Sequence, residues 1–260
     1  MLKKRIIPKL LLKHEKFQDS YNPIFVTSKK FSKIHLVGDP ISQGKIFEAQ
    51  LADELVLLNF ERLIIKNNKP YYEFLKKFSS NIFLPLTIGG GIKDISDIEM
   101  HLKSGADKII INTQAVLDKS LINKASEIFG KQCIVVSIDF MKTENNKNIV
   151  FIDRGRVRTE LDVVSWAKEV QDLGAGEIIL TDIDRDGSKK GLNIDVGNQI
   201  SQSLNIPIIL NGGCGLSNHF VEGFKKTKAQ GIAAGTFFAH KDQNFFEARS
   251  QVLNSNIQLR

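Results

Sequence analysis

The chain repeats itself at a distance of about half its length. The segment "IFLPLTIGGGIKDISDIEMHLKSGADKIIINT" (82–113) has the pattern of "NIPIILNGGCGLSNHFVEGFKKTKAQGIAAGT" (205–236). Each reads as an apolar strand with an internal proline, a glycine turn, a helix and a second apolar strand. A second pair, "ADELVLLNFER" (52–62) and "AGEIILTDIDR" (175–185), shares the same offset of 122 to 123 residues. Chance similarity between strand–helix units would not give two pairs one offset. The chain therefore reads as two halves of one architecture.

Runs rich in Ile, Val and Leu mark eight candidate strands, at 6–12, 54–60, 84–88, 108–112, 133–139, 177–182, 207–211 and 231–235. Continuous apolar runs suit strands buried on both faces, as in a parallel sheet. Helix-like stretches lie between them. "DISDIEMHLKSG" and "DVVSWAKEVQDLG" each start at an Asp able to cap and end at Gly105 or Gly174. Eight strands alternating with helices predict a single (β/α)8 TIM barrel over residues 1–260, built from two (β/α)4 half-barrels. A doubly wound open sheet is the alternative. Trp166, in helical spacing with Val163 and Val170, reads as core. The phenylalanine-rich "GTFFAHKDQNFFEA" is expected to pack the last helix on the barrel.

The formal charge of +7 reads first as a lysine-rich solvated surface. Anionic small ligands or an acidic partner are the other readings. No nucleic-acid motif accompanies the lysines. Two cysteines, Cys133 and Cys214, make neither a disulfide framework nor a metal spacing, which suits a reducing cytoplasm. The start "MLKKRIIPKLLLKH" imitates a leader, but Pro8 and Lys9 break its apolar run and no cleavage site follows. No apolar run reaches the roughly 18 residues of a membrane span. His14, His35, His101, His219 and His240 have no metal spacing, and Cys214 has no evident base. Neither a metal nor a cofactor is expected.

In such a barrel, ligands meet the C-terminal ends of the strands. Small and polar residues gather there in both halves. One cluster is Gly89-Gly90-Gly91 with Asn112-Thr113. The other is Asp186-Gly187, Gly212-Gly213 and Gly235-Thr236. Glycine lets backbone N–H groups approach an anion, and a following helix adds its positive end. Two such clusters suit a ligand with phosphates at both ends, although tight turns alone would also use glycine. Charges mark the opposite ends of the strands: Arg5, Glu54, Lys108 and Glu177. They are read either as stabilising ion pairs or as a polar gate.

The segments "KRIIP", "GDP", "DELVLL", "PLTIGGGI", "SGADKIIINTQAV", "FGKQCIVVSID", "WAKEV", "LGAGEIILTDIDRDGSKKG" and "GGCG" run in order across nearly the whole chain. Together they resemble the HisF family, the cyclase subunit of imidazole glycerol phosphate synthase. The resemblance implies a half-barrel-duplicated fold and a HisH-like glutaminase on the bottom face. Ammonia would pass a gate at Arg5, Glu54, Lys108 and Glu177, with Asp107 facing the partner. It would then cross the barrel to a bis-phosphorylated ribulosyl-formimino nucleotide, whose ring closure gives imidazole glycerol phosphate. Gly91, Asn112 and Thr113 match one phosphate site. Asp186, Gly187 and Gly213 match the other, where the usual serine is Gly235, followed by Thr236. The family's strand-two Asp is Asn59 and its strand-seven Ser is Asn211.

The family uses two aspartates, at the ends of strands one and five, as acid and base. The second is Asp139; the first is Leu11, which cannot transfer a proton. Glu15 or Asp19 in the following loop are the available substitutes. "IPKLLLK" followed by "VGDP" resembles the HisF-like paralogues found with surface-polysaccharide genes. That implies glutamine-derived ammonia for an amidino-sugar, with a glutaminase and a sugar amidotransferase. A working histidine-pathway cyclase and a non-catalytic scaffold activating a glutaminase are the alternatives.

Overall fold

The computed structural model describes residues 3–17, 20–60, 69–239 and 244–260. Its strands are β1 (Arg5–Phe17), β2 (Ser20–Lys29), β3 (Lys33–Gly38), β4 (Leu55–Asn59), β5 (Leu86–Gly89), β6 (Lys108–Ile111), β7 (Ile134–Lys142), β8 (Asn148–Ile152), β9 (Val157–Asp162), β10 (Glu177–Asp182), β11 (Ile208–Asn211) and β12 (Gly231–Ala234). Eight of them, in the order β10-β11-β12-β1-β4-β5-β6-β7, pair in parallel, and β10 pairs β7 to close a barrel. This is the (β/α)8 barrel expected from the alternation. The open-sheet alternative fails because closure leaves these eight strands no edge.

The helices form where amphipathic sequence meets a cap. Asp94 accepts from Asp97 N at the start of Ile95–Lys103, and Asp162 accepts from Val164 N and Ser165 N at the start of Val163–Asp172. Gly105 and Gly174, which follow these helices, have φ of 102° and 105°, a region open to glycine at little cost. Trp166, Val163 and Val170 are fully buried between helix and sheet, together with much of the outer core. Phe220, Phe237, Phe238 and Phe245 pack as a ring cluster, which ties the helix Asn244–Asn254 to the barrel wall. Residues 240–243 of that tail, His240 among them, lie outside the described residues. So does Arg62 of the repeat.

Inside the barrel, Ile7, Val56, Ile110, Val135, Ile179, Ile209 and Ala233 form a separate apolar layer. One residue comes from each of seven strands, as the period of two along a strand requires.

Two hairpins extend the barrel at its C-terminal end. Here β1 runs five residues past the expected strand and pairs antiparallel with β2, which pairs β3. Likewise β7 continues into β8 and β9. Neither hairpin was expected. The reading sought continuous apolar runs, whereas β3 and β9 have mostly exposed or half-buried residues.

Trp166 is the largest fully buried side chain. Trp166→Ala should therefore lower the unfolding free energy by about 3–5 kcal/mol, read from the denaturant midpoint. A change below about 1 kcal/mol would contradict this packing.

Candidate functional site

The N-terminal ends of the strands hold a ring of charge. Arg5 Nη1 lies 2.6 Å from Glu54 Oε2, and Arg5 Nη2 pairs with Glu177 Oε1. Lys108 Nζ reaches Glu177 at 2.8 Å and Glu54 at 3.4 Å. Thr87 Oγ1 donates to Glu54 Oε1 at 2.6 Å. All but Lys108 are buried. Burial opposes the charge on Arg5, but the charges and hydrogen bonds of Glu177 and Glu54 outweigh it and raise its pKa. Burial likewise works against an ionised Glu54, yet Lys108 and Arg5 lower its pKa overall. The four residues are thus joined by ion pairs into one network across the lumen. Asp107 sits exposed on the same face, just before β6, where its Oδ2 accepts from Leu86 N at 2.8 Å. Leu51 and Phe83, 64% and 84% exposed, also precede barrel strands on this face.

Past the apolar layer, the lumen opens into a cavity of about 150 Å³ at the C-terminal end. Residues of β1, β4, β6, β7, β10, β11 and β12 line it, together with Gly90, Gly91 and Ile92 after β5. Leu11 and Asp139 both face it, as the repeat implies for equivalent strand ends. Leu11 is apolar, paired with Leu58 of β4 and Val26 of β2. Asp139 accepts from Asn112 Nδ2 at 2.9 Å and Ser137 Oγ at 3.2 Å. Burial pushes its carboxyl up to about 6, against the nearby charge of Lys9 and hydrogen bonds from Ser137, Thr181 and Asn112. A carboxyl poised there can take or give a proton near neutrality. Asp19 and the Glu15 side chain lie outside the described residues.

The two glycine clusters are placed differently. Gly91, Asn112 and Thr113 line the cavity. Gly91 has φ 82° and open space where a Cβ would stand, so a ligand can approach its backbone. The second set lies against the β2–β3 hairpin. Ser28 Oγ donates to Asp186 Oδ2 at 2.6 Å, and Lys30 N donates to Asp186 O at 3.0 Å. A Cβ on Gly187 would lie 2.2 Å from Ser28 O, and one on Gly213 would lie 2.1 Å from Gly191 O. Gly235 and Thr236 are half-buried after β12, with Lys9 Cε 3.7 Å from the Cβ position of Gly235.

Lys9, Phe31, Phe60 and Arg154 are among the cavity residues that no sequence motif marks. Arg154 stands 5.6 Å over the Phe60 ring. Phe31 and Arg154 come from the unforeseen hairpin turns. Lys9 was legible, as a charged residue two places before Leu11 in an otherwise apolar strand. Asn211 donates to Thr181 at 3.1 Å, and Asn59 Oδ1 accepts from His14 Nε2 at 2.9 Å. Among the described residues no cluster of His, Cys, Asp and Glu could hold a metal. Cys214 is buried, and burial pushes its thiol pKa up, which disfavours a nucleophile.

The family model described as "Histidine biosynthesis protein" matches residues 5–244. The chain is 40% identical to a putative imidazole glycerol phosphate synthase subunit hisF2 of Prochlorococcus marinus, across 100% of this chain and 99% of the relative. It is 41% identical to the imidazole glycerol phosphate synthase subunit HisF of a Hydrogenobaculum species, and 38% identical to that of Bacillus cereus. Both matches cover each chain in full.

Two outcomes follow from this geometry. Arg5→Met strands Glu54 and Glu177 in a buried site with one half-buried cation, and should cost about 3–5 kcal/mol of stability by denaturant unfolding. Asp139 has a raised pKa in the fold, so its favourable contribution is complete below the ordinary carboxylate pKa. It fades as pH rises through about 6. Asp139→Asn should therefore gain stability relative to the parent between pH 4 and 8, by up to about 3 kcal/mol. A difference that does not vary with pH would contradict the buried carboxylate.

Proposed function

The chain belongs to the HisF family, and from that premise we propose that it is the ammonia-receiving barrel of a glutamine amidotransferase. A HisH-like glutaminase docks on the face that carries Arg5, Glu54, Lys108 and Glu177. The observation that carries this reading is the contrast between the two ends of one lumen. A complete charged ring stands at one end, and a cavity whose strand-one position is Leu11 stands at the other. Asp107, Leu51 and Phe83 give the ring face exposed polar and apolar contacts for a partner.

Ammonia released below passes the gate, crosses the apolar layer and enters the cavity. Gly91, Asn112 and Thr113 hold a phosphate of the ligand there; Asp186, Gly187, Gly213, Gly235 and Thr236 serve a second phosphate when the β2–β3 hairpin yields. Removing one acid–base group costs about 10²–10⁴ in rate. Leu11 therefore argues against efficient histidine-pathway ring closure. The acceptor in this reading is a sugar converted to its amidino form for surface polysaccharide, with a sugar amidotransferase as a further partner. The short "IPKLLLK" and "VGDP" segments support that choice. The partnership and two free cysteines suit the cytoplasm.

A second reading, imidazole glycerol phosphate synthesis for histidine, is favoured by the names of the relatives and by the retained Asp139.

Mixed with its glutaminase, the barrel should raise glutamine hydrolysis several-fold, and Phe83→Asp should abolish the effect. Neutralising Lys108 as Lys108→Met should let ammonia escape to the medium. An unstimulated glutaminase would contradict docking. An unchanged ammonia balance in Lys108→Met would contradict gating and leave only a scaffold.

A further inference from the structure

His219 is a half-buried polar side chain to which the gate, the cavity and the glycine clusters give no role. It lies on the helix Ser217–Lys226, which follows the turn at Gly212 and Gly213. Its Nδ1 accepts two backbone bonds, from Gly215 N at 3.1 Å and from Leu216 N at 3.3 Å. Two N–H groups aimed at one ring nitrogen fix the state of the ring. Nδ1 carries no proton, and the proton of the neutral imidazole sits on Nε2. His219 stands at the third helical position and reaches back to the chain before the helix, a task that Glu or Gln performs in a capping box. A glutamate there would set a negative charge beside a cluster read as an anion site. Neutral imidazole supplies the acceptor without the charge.

The segment that His219 holds is the joint between two loops of the second glycine cluster. Gly191 N donates to Gly213 O at 2.9 Å, and Arg185 Nη1 donates to Gly191 O at 3.1 Å. A Cβ on Gly191 would lie 3.6 Å from the His219 ring, and one on Gly215 would lie 2.3 Å from Lys189 Cβ. The loop that carries Asp186 and Gly187 therefore rests on the segment 213–216, and His219 braces that segment. Burial lowers the His219 pKa, against the opposing charge of Glu222 one turn on. The other charged groups around the joint are Arg185, Lys189 and Lys190 after β10, and Glu247 of the last helix, which accepts from Ser217 Oγ at 2.8 Å. The ring is therefore neutral at neutral pH and takes a proton in acid. A protonated Nδ1 donates and cannot accept, so both backbone bonds are lost together. The lowered pKa stabilises the joint above the ordinary histidine value, and that support is lost as pH falls through the folded value.

We propose that His219 is a positioning residue for the second phosphate site, and that its neutral imidazole holds the Gly213–Leu216 segment in the arrangement that binds the anion. This rests on the reading of Asp186, Gly187, Gly213, Gly235 and Thr236 as that site. Acid releases the segment, so the site loses affinity as His219 gains its proton. The first site is braced without an imidazole: Asn112 Nδ2 donates to Asp139 Oδ2 at 2.9 Å, and Thr113 Oγ1 accepts from Asp153 N at 3.0 Å. The two sites therefore answer to different groups. A doubly phosphorylated ligand is held at both ends at neutral pH and loses its hold at the second end in acid.

Inorganic sulfate is the probe, because it keeps both charges where histidine titrates. It is titrated into the full chain at about pH 7.5 and about pH 5, either side of the ordinary histidine pKa. Amide NMR signals of Gly187 and Gly213 report the second site, and those of Gly91 and Thr113 report the first. In the parent, the second site should bind sulfate at least about threefold more weakly in acid, as the competent neutral fraction falls. His219→Gln keeps an acceptor that does not titrate. It should retain the affinity at neutral pH and abolish the acid loss. His219→Leu should weaken the second site at both pH values and leave the first as in the parent. A mere helix cap would alter stability and leave parent and His219→Gln with the same pH profile. That result, or tighter binding by the parent in acid, overturns the assignment. If neither variant folds, the ring nitrogen signals of the parent decide. An unprotonated Nδ1 at neutral pH that gains its proton as the Gly213 signal shifts supports the brace, and a protonated Nδ1 overturns it. Sulfate that moves neither Gly187 nor Gly213 at either pH overturns the second phosphate site itself, together with its brace. The docking reading is judged apart from both, by glutaminase stimulation.

Discussion

Period-two alternation along β1 is the constraint on which the rest depends. A strand inside a closed barrel must send every second side chain into the lumen. Arg5, Ile7, Lys9 and Leu11 therefore trace the barrel from its charged floor to its cavity. A one-residue slip would place Ile6, Leu10 and Leu12 there instead, and would turn the Arg5 guanidinium away from Glu54 and Glu177. The register is fixed by parallel pairing on both sides, Arg5 with Gly231 and Leu11 with Leu58.

The charge ring needs this register and also enforces it. Placing Arg5, Glu54 and Glu177 in a buried site beside the half-buried Lys108 costs more than most surface ion pairs return. The cost is offset because each carboxylate meets both cations. Packed hydrophobic residues would give a more stable floor. Retaining ions there fits the passage of a small polar molecule that we propose. The apolar layer above is continuous with that use, since it offers a neutral molecule no binding partner to hold it.

Much of this is legible in the sequence. The repeat, the eight apolar runs and the caps at Asp94 and Asp162 carried the fold, because local pattern and global architecture agree there. Leu11 opposite Asp139 was legible too, by symmetry between the half-barrels. The hairpins were not. Their residues alternate or face solvent, and antiparallel pairing to β1 and β7 is a long-range choice that no local run announces. Phe31 and Arg154 reach the cavity only through those hairpins. Lys9 is hidden for another reason: in sequence it reads as a break in an apolar run, and only the parity of β1 turns it into the lumen.

We propose that this barrel keeps the ammonia route of its family while lacking, at Leu11, the acid that ring closure requires. One measurement tests it most directly. The bis-phosphorylated nucleotide closed by HisF cyclases is supplied with an ammonium salt, and imidazole glycerol phosphate is counted for the parent chain and for Leu11→Asp. The account predicts product at background for the parent and clearly above background for Leu11→Asp, which restores a carboxylate opposite Asp139. Sustained turnover by the parent chain would contradict it.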